Sequence, residues 1–138
     1  MNETREHRLI AAICLLLGLS VCLIGVGIIP YDPSKIHAPA WVILAGGGIF
    51  MLAGLALLFR SRPIVVNVLG NLIVIAFAAV GAWVALYGPS EQFSGGLPLV
   101  SDETNVGIAR VFFGVGSILC LLMLIPGLRY LLKAIREQ

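Results

Sequence analysis

Residues 64–87 read IVVNVLGNLIVIAFAAVGAWVALY, and no side chain in this stretch carries a charge. A helix needs about 20 apolar residues to cross roughly 30 Å of hydrocarbon, so the stretch is long enough for one crossing. Three further stretches, at 9–29, 40–59 and 106–128, are comparably apolar and contain no acidic residue. The four together predict an all-α membrane protein, a four-helix transmembrane bundle.

Composition supports a single transmembrane domain over residues 1–138. Hydrophobic residues make up 59% of the chain and charged residues 12%, against about 45–50% and 25% in soluble domains. Between the spans lie only a short turn and two outer loops, at 30–39 and 88–105, so we expect no soluble domain. The net charge of +2 is too small to predict nucleic-acid binding.

Basic residues fall mostly on one side of the predicted spans. By the positive-inside rule this side is the cytoplasm, so both termini are expected there, in a plasma (inner) membrane. The first apolar run exceeds the 7–15 residues of a signal-peptide core, and we expect it to be retained as a span. The residues on the basic side are Arg5, Arg8, Arg60, Arg62, Arg129, Lys133 and Arg136.

The end of the chain carries a basic tail of Arg129, Lys133 and Arg136, with leucines and an isoleucine on the opposite side. Pro126-Gly127 precedes it and is expected to bend or break the fourth helix. The pattern predicts a short amphipathic cytoplasmic C-terminal helix on the membrane surface. It would serve as an anchor on anionic lipid or as a docking surface for an acidic partner.

Aromatic residues stand at the outer ends of the spans. Tyr31 follows the first span, Trp41 begins the second and Tyr87 ends the third. Their rings suit the headgroup level, so we expect them to be interface anchors.

Rare polar residues and small residues indicate the packing faces, because apolar side chains gain little from association in lipid. Asn67, Asn71 and Ser117 are expected to face neighbouring helices, as hydrogen-bonding groups between helices or as the lining of a pore. Glycines of the first and second spans, including Gly46-Gly47-Gly48, predict close helix contacts or a local helix distortion.

Arg110 lies about one turn inside the fourth span on its outer side. Its side chain could extend to the interface, or pair with an outer-loop carboxylate among Glu91, Asp102 and Glu103. An anion site at the outer mouth would also use such a residue.

No pattern in the chain indicates catalysis, a metal or a cofactor. His37, Asp32 and the loop serines match no nucleophile elbow or triad motif, and His37 has no second ligand at helical spacing. The glycine triplet lies within a span, where no phosphate-binding loop is expected. The chain is therefore predicted not to be an enzyme.

The first half resembles the small membrane subunit of tripartite tricarboxylate transporters. The resemblance covers an apolar helix, a proline-bearing outer loop and the glycine- and leucine-rich span from Trp41 to Phe59. It implies a subunit of a transporter. The loop from Gly88 to Asn105 departs from that pattern. Small multidrug transporters, in turn, need a glutamate inside the first span, and here Glu3 and Glu6 precede it.

These features predict a non-catalytic accessory or assembly subunit of a larger membrane complex. Its expected partners are the lipid bilayer and a hetero- or homo-oligomeric membrane protein, with recognition by the 88–105 loop and the basic tail. The alternative is an oligomeric channel or a small transporter subunit, with Asn67, Asn71 and Arg110 near the pathway.

Overall fold

The computed structural model describes residues 3–32, 38–88 and 101–137. They form four helices, α1 (Glu3–Gly25), α2 (Ala40–Leu58), α3 (Pro63–Tyr87) and α4 (Asp102–Arg136). Each helix is long and apolar enough to cross a membrane, and no strand occurs in the described ranges. The prediction of an all-α, four-span chain is confirmed: this is a small multi-pass membrane protein.

The helices pack as two antiparallel hairpins. α1 lies closely along α2, α3 lies closely along α4, and α2 meets α3 over a smaller interface. Within the described helices, α1 and α4 do not form a closely packed pair. The arrangement is thus an open row rather than a closed ring, so α1 and α4 each have only one helix packed closely against them.

Glycine residues and an alanine determine how closely α1 and α2 approach. Ala11 is fully buried, and Gly18 and Gly47 are buried opposite each other. A Cβ at Gly18 would lie 2.6 Å from the carbonyl oxygen of Gly47, and one at Gly54 would lie 2.9 Å from that of Ala11. Because those oxygens belong to helix backbones, only residues without larger side chains permit this approach.

α1 ends at Gly25, four residues before the predicted end of the first span. Gly27 has a φ of +79°, and the N–H groups of Ile28 and Gly27 donate to the carbonyls of Leu23 and Ile24 at 2.9 and 3.0 Å. This is a Schellman motif, which needs a left-handed residue after the helix. Gly27 therefore ends the helix before the predicted end of the span at residue 29.

A four-residue turn from Phe59 to Arg62 joins the two hairpins. Pro63 occupies the first position of α3, where its missing N–H has no partner to lose. At the opposite end of the same helices, Trp41 and Trp83 meet edge to face with ring centroids 5.8 Å apart. This ring geometry is favourable for aromatic pairs and joins the outer ends of α2 and α3.

α4 continues without interruption from Asp102 to Arg136, with Pro126 inside it. The prediction of a separate amphipathic helix after a break at Pro126-Gly127 was therefore wrong. The basic tail is helical, but it is the last part of α4. Proline removes one backbone donor, and membrane helices tolerate it where a neighbouring helix packs against the site, as α3 does here.

Candidate functional site

The polar residues of the spans gather along the seam between α3 and α4. At its centre, the Ser117 hydroxyl donates a hydrogen bond of 2.7 Å to the carbonyl oxygen of Ala78, and Ser117 is buried. One helical turn away, a Cβ at Gly81 would lie 3.3 Å from the carbonyl oxygen of Phe113. The seam is therefore a close backbone contact with an interhelical hydrogen bond.

Asn67 and Asn71 lie in the half of the seam that contains the start of α3 and the end of α4. The Nδ2 of Asn71 donates to the carbonyl oxygen and to the Oδ1 of Asn67, each at 2.9 Å. These bonds lie within α3, whereas the sequence predicted bonds between helices. A side-chain amide bonded to the preceding turn offers the bilayer fewer unsatisfied polar atoms.

Gly127 lies directly against the Asn71 amide. A Cβ at position 127 would overlap the Oδ1 of Asn71 and would lie 2.9 Å from its Cγ and Nδ2. Glycine at position 127 leaves room for the Asn71 amide in the orientation that bonds to Asn67. The pair Pro126-Gly127 thus allows α4 to pass Asn71 closely.

Arg110 lies at the opposite end of the seam, where α3 ends and α4 begins. Its Nη2 donates to the carbonyl oxygen of Gly88, the residue that follows α3, at 2.9 Å. Its Nε is buried and has no hydrogen-bond partner in the described part of the chain. The C-terminus of α3 carries partial negative charge, so a guanidinium there stabilises the helix end. Of the carboxylates considered as its partners, Glu91 and the Asp102 side chain lie outside the described residues.

Two arginines of α4 mark the thickness of its uncharged segment. Arg110 and Arg129 are 19 positions apart, which corresponds to about 28 Å along a helix and matches the ~30 Å hydrocarbon core. Asn71 lies beside Gly127. Gly127 stands two positions before Arg129, so Asn71 is near the boundary of the core at the Arg129 end. The two amides thus lie at one edge of the bilayer rather than at its centre.

The three predicted interface anchors lie at the end of the fold that holds the Arg110 contact. Tyr31 is partly buried after α1, Trp41 stands in the first turn of α2, and Tyr87 is exposed as the last residue of α3. Their role in the headgroup layer stays a prediction. Trp83, which contacts Trp41, was not singled out from the sequence.

Sequence reasoning also missed Ala11 as the most closely packed residue of α1. The available signal was a spacing of seven: Ala11, Gly18 and Gly25 on α1, and Gly47 and Gly54 on α2. A seven-residue repeat keeps one stripe against a neighbouring helix that crosses at a shallow left-handed angle. Gly46 and Gly48 lie off this stripe and have no heavy atom within 4 Å of an added Cβ.

An apolar groove of about 540 Å³ runs along the N-terminal half of α4. Among the described residues, its walls come from α4 alone, namely Thr104, Gly107, Ile108, Val111, Phe112 and Val115. The residues that the structure describes contain no cluster of three metal-ligating side chains. Of the predicted recognition loop at 88–105, residues 89–100 lie outside the described residues, and 102–105 form the start of α4.

Comparison with protein-family models, with curated proteins and with solved structures gives no match for this chain.

Proposed function

We propose that the protein is a non-catalytic accessory subunit that assembles with another membrane protein through an edge of its helix row. The observation that carries this proposal is the open packing of α1 and α4, each closely packed against one neighbouring helix. Large apolar side chains cover the free side of α4; Phe112 is 77% exposed and Met123 65%. A partner helix at this edge would bury surface that the chain leaves uncovered.

The polar groups of the spans support a structural role. Ser117 and Arg110 donate to backbone carbonyls across the seam, and the Asn71 amide donates to Asn67. Hydrogen bonds of this kind hold helices in place, and they leave fewer free donors to bind a substrate. The expected location is a plasma (inner) membrane with both termini in the cytoplasm, in line with the placement of the basic residues.

The channel alternative requires several copies of the chain around a pore. A pore in such an assembly would be lined by an outward face of the row, and in the described helices those faces are apolar for most of their length. Asn67, Asn71 and Ser117 are engaged at the α3–α4 seam instead. This geometry gives the channel less support than the accessory role.

Site-directed photo-crosslinking in native membranes tests the proposal. A photoreactive amino acid is placed in turn at Phe112, Val115, Leu119 and Leu122, which follow one exposed line of α4. Matched controls use Leu72 and Ile75, which are 44% and 47% exposed on α3. If the protein is an accessory subunit, one defined partner protein should be crosslinked from the α4 positions with helical periodicity. The same partner should not be crosslinked from the control positions.

The other outcomes would count against the proposal. Crosslinks only between copies of this chain, together with ion flux in liposomes, would favour the channel. Lipid adducts alone at every position would overturn assembly through α4. A scan of α1 at Leu16 and Leu17, which are 66% and 51% exposed, then tests the second edge by the same criteria.

A further inference from the structure

Five basic side chains gather at the cytoplasmic end of α3 and α4. We call this cluster the basic rim; its members are Arg60, Arg62, Arg129, Lys133 and Arg136. All five residues are exposed. The rim differs from the tail predicted from the sequence, because it combines the α2–α3 turn with the last turns of α4.

The register of α3 against α4 brings these two parts to one level. Asn71 lies against Gly127, and the two helices run antiparallel. Arg62 stands nine positions before Asn71, and Arg136 stands nine positions after Gly127. Both arginines therefore lie about 13 Å beyond that contact, side by side at the end of the seam.

An apolar line runs beside the basic line on the last turns of α4. Leu128, Leu132 and Ile135 are 50%, 60% and 65% exposed, and each directly precedes a basic residue. Large aliphatic groups so exposed favour an environment of acyl chains over water. Arginine and lysine stems can lie along such a surface while their charged groups reach the phosphates.

The depth of the rim matches the headgroup layer. Arg129 lies about 28 Å along α4 from Arg110, at the far boundary of the hydrocarbon core. From Arg129 to Arg136 the helix advances about 10 Å more. The headgroup regions add roughly 10–15 Å to the core over both leaflets, so this segment passes through one of them.

We propose that the basic rim is a binding surface for anionic phospholipid headgroups of the cytoplasmic leaflet. Arg62, Arg129 and Arg136 supply the main contacts. The Nζ of Lys133 lies 3.8 Å from the Oε1 of Glu137, so this pair adds no net charge to the rim. An upright helix end held by α3 places its guanidinium groups at fixed heights among the phosphates, whereas a helix lying on the surface would spread them across one plane.

Native mass spectrometry of the full-length protein tests this proposal. The protein is purified in a mild detergent and offered equal amounts of phosphatidylglycerol and phosphatidylcholine. A basic residue near an anionic surface is expected to contribute about fivefold to the preference for phosphatidylglycerol over phosphatidylcholine. Arg62→Gln and Arg136→Gln should therefore each lower the ratio of bound phosphatidylglycerol to phosphatidylcholine about fivefold, and the triple variant that also carries Arg129→Gln should bring it close to one.

Two controls separate charge from structure. The double variant Lys133→Gln with Glu137→Gln should change the ratio less than either arginine variant, because it leaves the net charge of the rim unchanged. The triple arginine-to-lysine variant should keep most of the preference, while helix content by circular dichroism stays constant in all variants.

Two results would overturn the proposal. They are equal binding of the two lipids by the unaltered protein, and an unchanged lipid ratio in the triple glutamine variant. If the variant with the unchanged ratio also loses an acidic protein partner, the rim is assigned to protein docking instead.

Discussion

Replacing Gly47 by alanine is expected to destabilise the α1–α2 hairpin, whereas the same change at Gly46 or Gly48 is not. A Cβ at position 47 would lie 2.6 Å from the Sγ of Cys22, 2.8 Å from the carbonyl oxygen of Gly18 and 2.9 Å from the N of Cys22. The thiol can rotate away, but the two backbone atoms cannot. The Cβ therefore has to push the helices apart.

The required movement follows from these distances. Ordinary van der Waals contact begins at 3.4 Å, so the contact at 2.8 Å has to lengthen by about 0.6 Å. A gap of roughly 0.5–1 Å forfeits a quarter to a half of the attraction between each pair of packed atoms. Overpacking of this kind costs about 1–3 kcal/mol, and that is the expected loss for Gly47→Ala.

Gly46 and Gly48 are matched controls on the same helix. An added Cβ has no heavy atom within 4 Å at either position, so alanine should be neutral or stabilise by up to about 1 kcal/mol through helix propensity. The measurement is reversible unfolding in mixed micelles at increasing fractions of a denaturing detergent, followed by helix ellipticity. If Gly47→Ala unfolds at the same fraction of denaturing detergent as the two control variants, the inference that close helix approach at Gly47 stabilises the hairpin is refuted.

Two other substitutions test the α3–α4 seam by the same assay. Ser117→Ala removes the interhelical hydrogen bond and should lower the free energy of unfolding by about 0.6 kcal/mol, with an upper bound near 1.7. The control is Ser20→Ala, which should cost less because the Ser20 hydroxyl is exposed and bonds within its own helix at 2.8 Å. Equal losses in the two variants would contradict the role assigned to the seam. Gly127→Ala should destabilise by about 1–3 kcal/mol because the methyl group overlaps the Asn71 amide. The double variant Gly127→Ala with Asn71→Ala should recover part of that loss, and strictly additive losses would show that the two residues do not interact.

The sequence sufficed for the spans because lipid imposes a simple requirement on length and polarity. Residues 64–87, quoted at the outset, became α3 with bounds shifted by one residue at its start. The end of α1 was less predictable. The prolines that follow it are conspicuous breakers, but Gly27 adopts a positive φ before the chain reaches them, and a glycine inside an apolar run gives no sign of which backbone region it will adopt.

The geometry of the candidate site could be anticipated only in part. The sequence identified Asn67, Asn71, Arg110 and Ser117 as exceptional polar residues, but not their partners. Three of the observed acceptors are backbone carbonyls, of Ala78, Gly88 and Asn67. Every residue carries a carbonyl, so residue identity does not indicate which one a side chain will reach.

The sequence by itself determined that this chain crosses a membrane four times and that most of its basic residues collect at one end. Both properties depend on local composition, because each span must satisfy the bilayer independently. Only the tertiary structure decided that the helices form a row of two hairpins, that Gly47 rather than Gly46 or Gly48 meets α1, and that α4 continues past Pro126 beside Asn71. These outcomes depend on the register between helices, which is set by van der Waals fit at particular small residues.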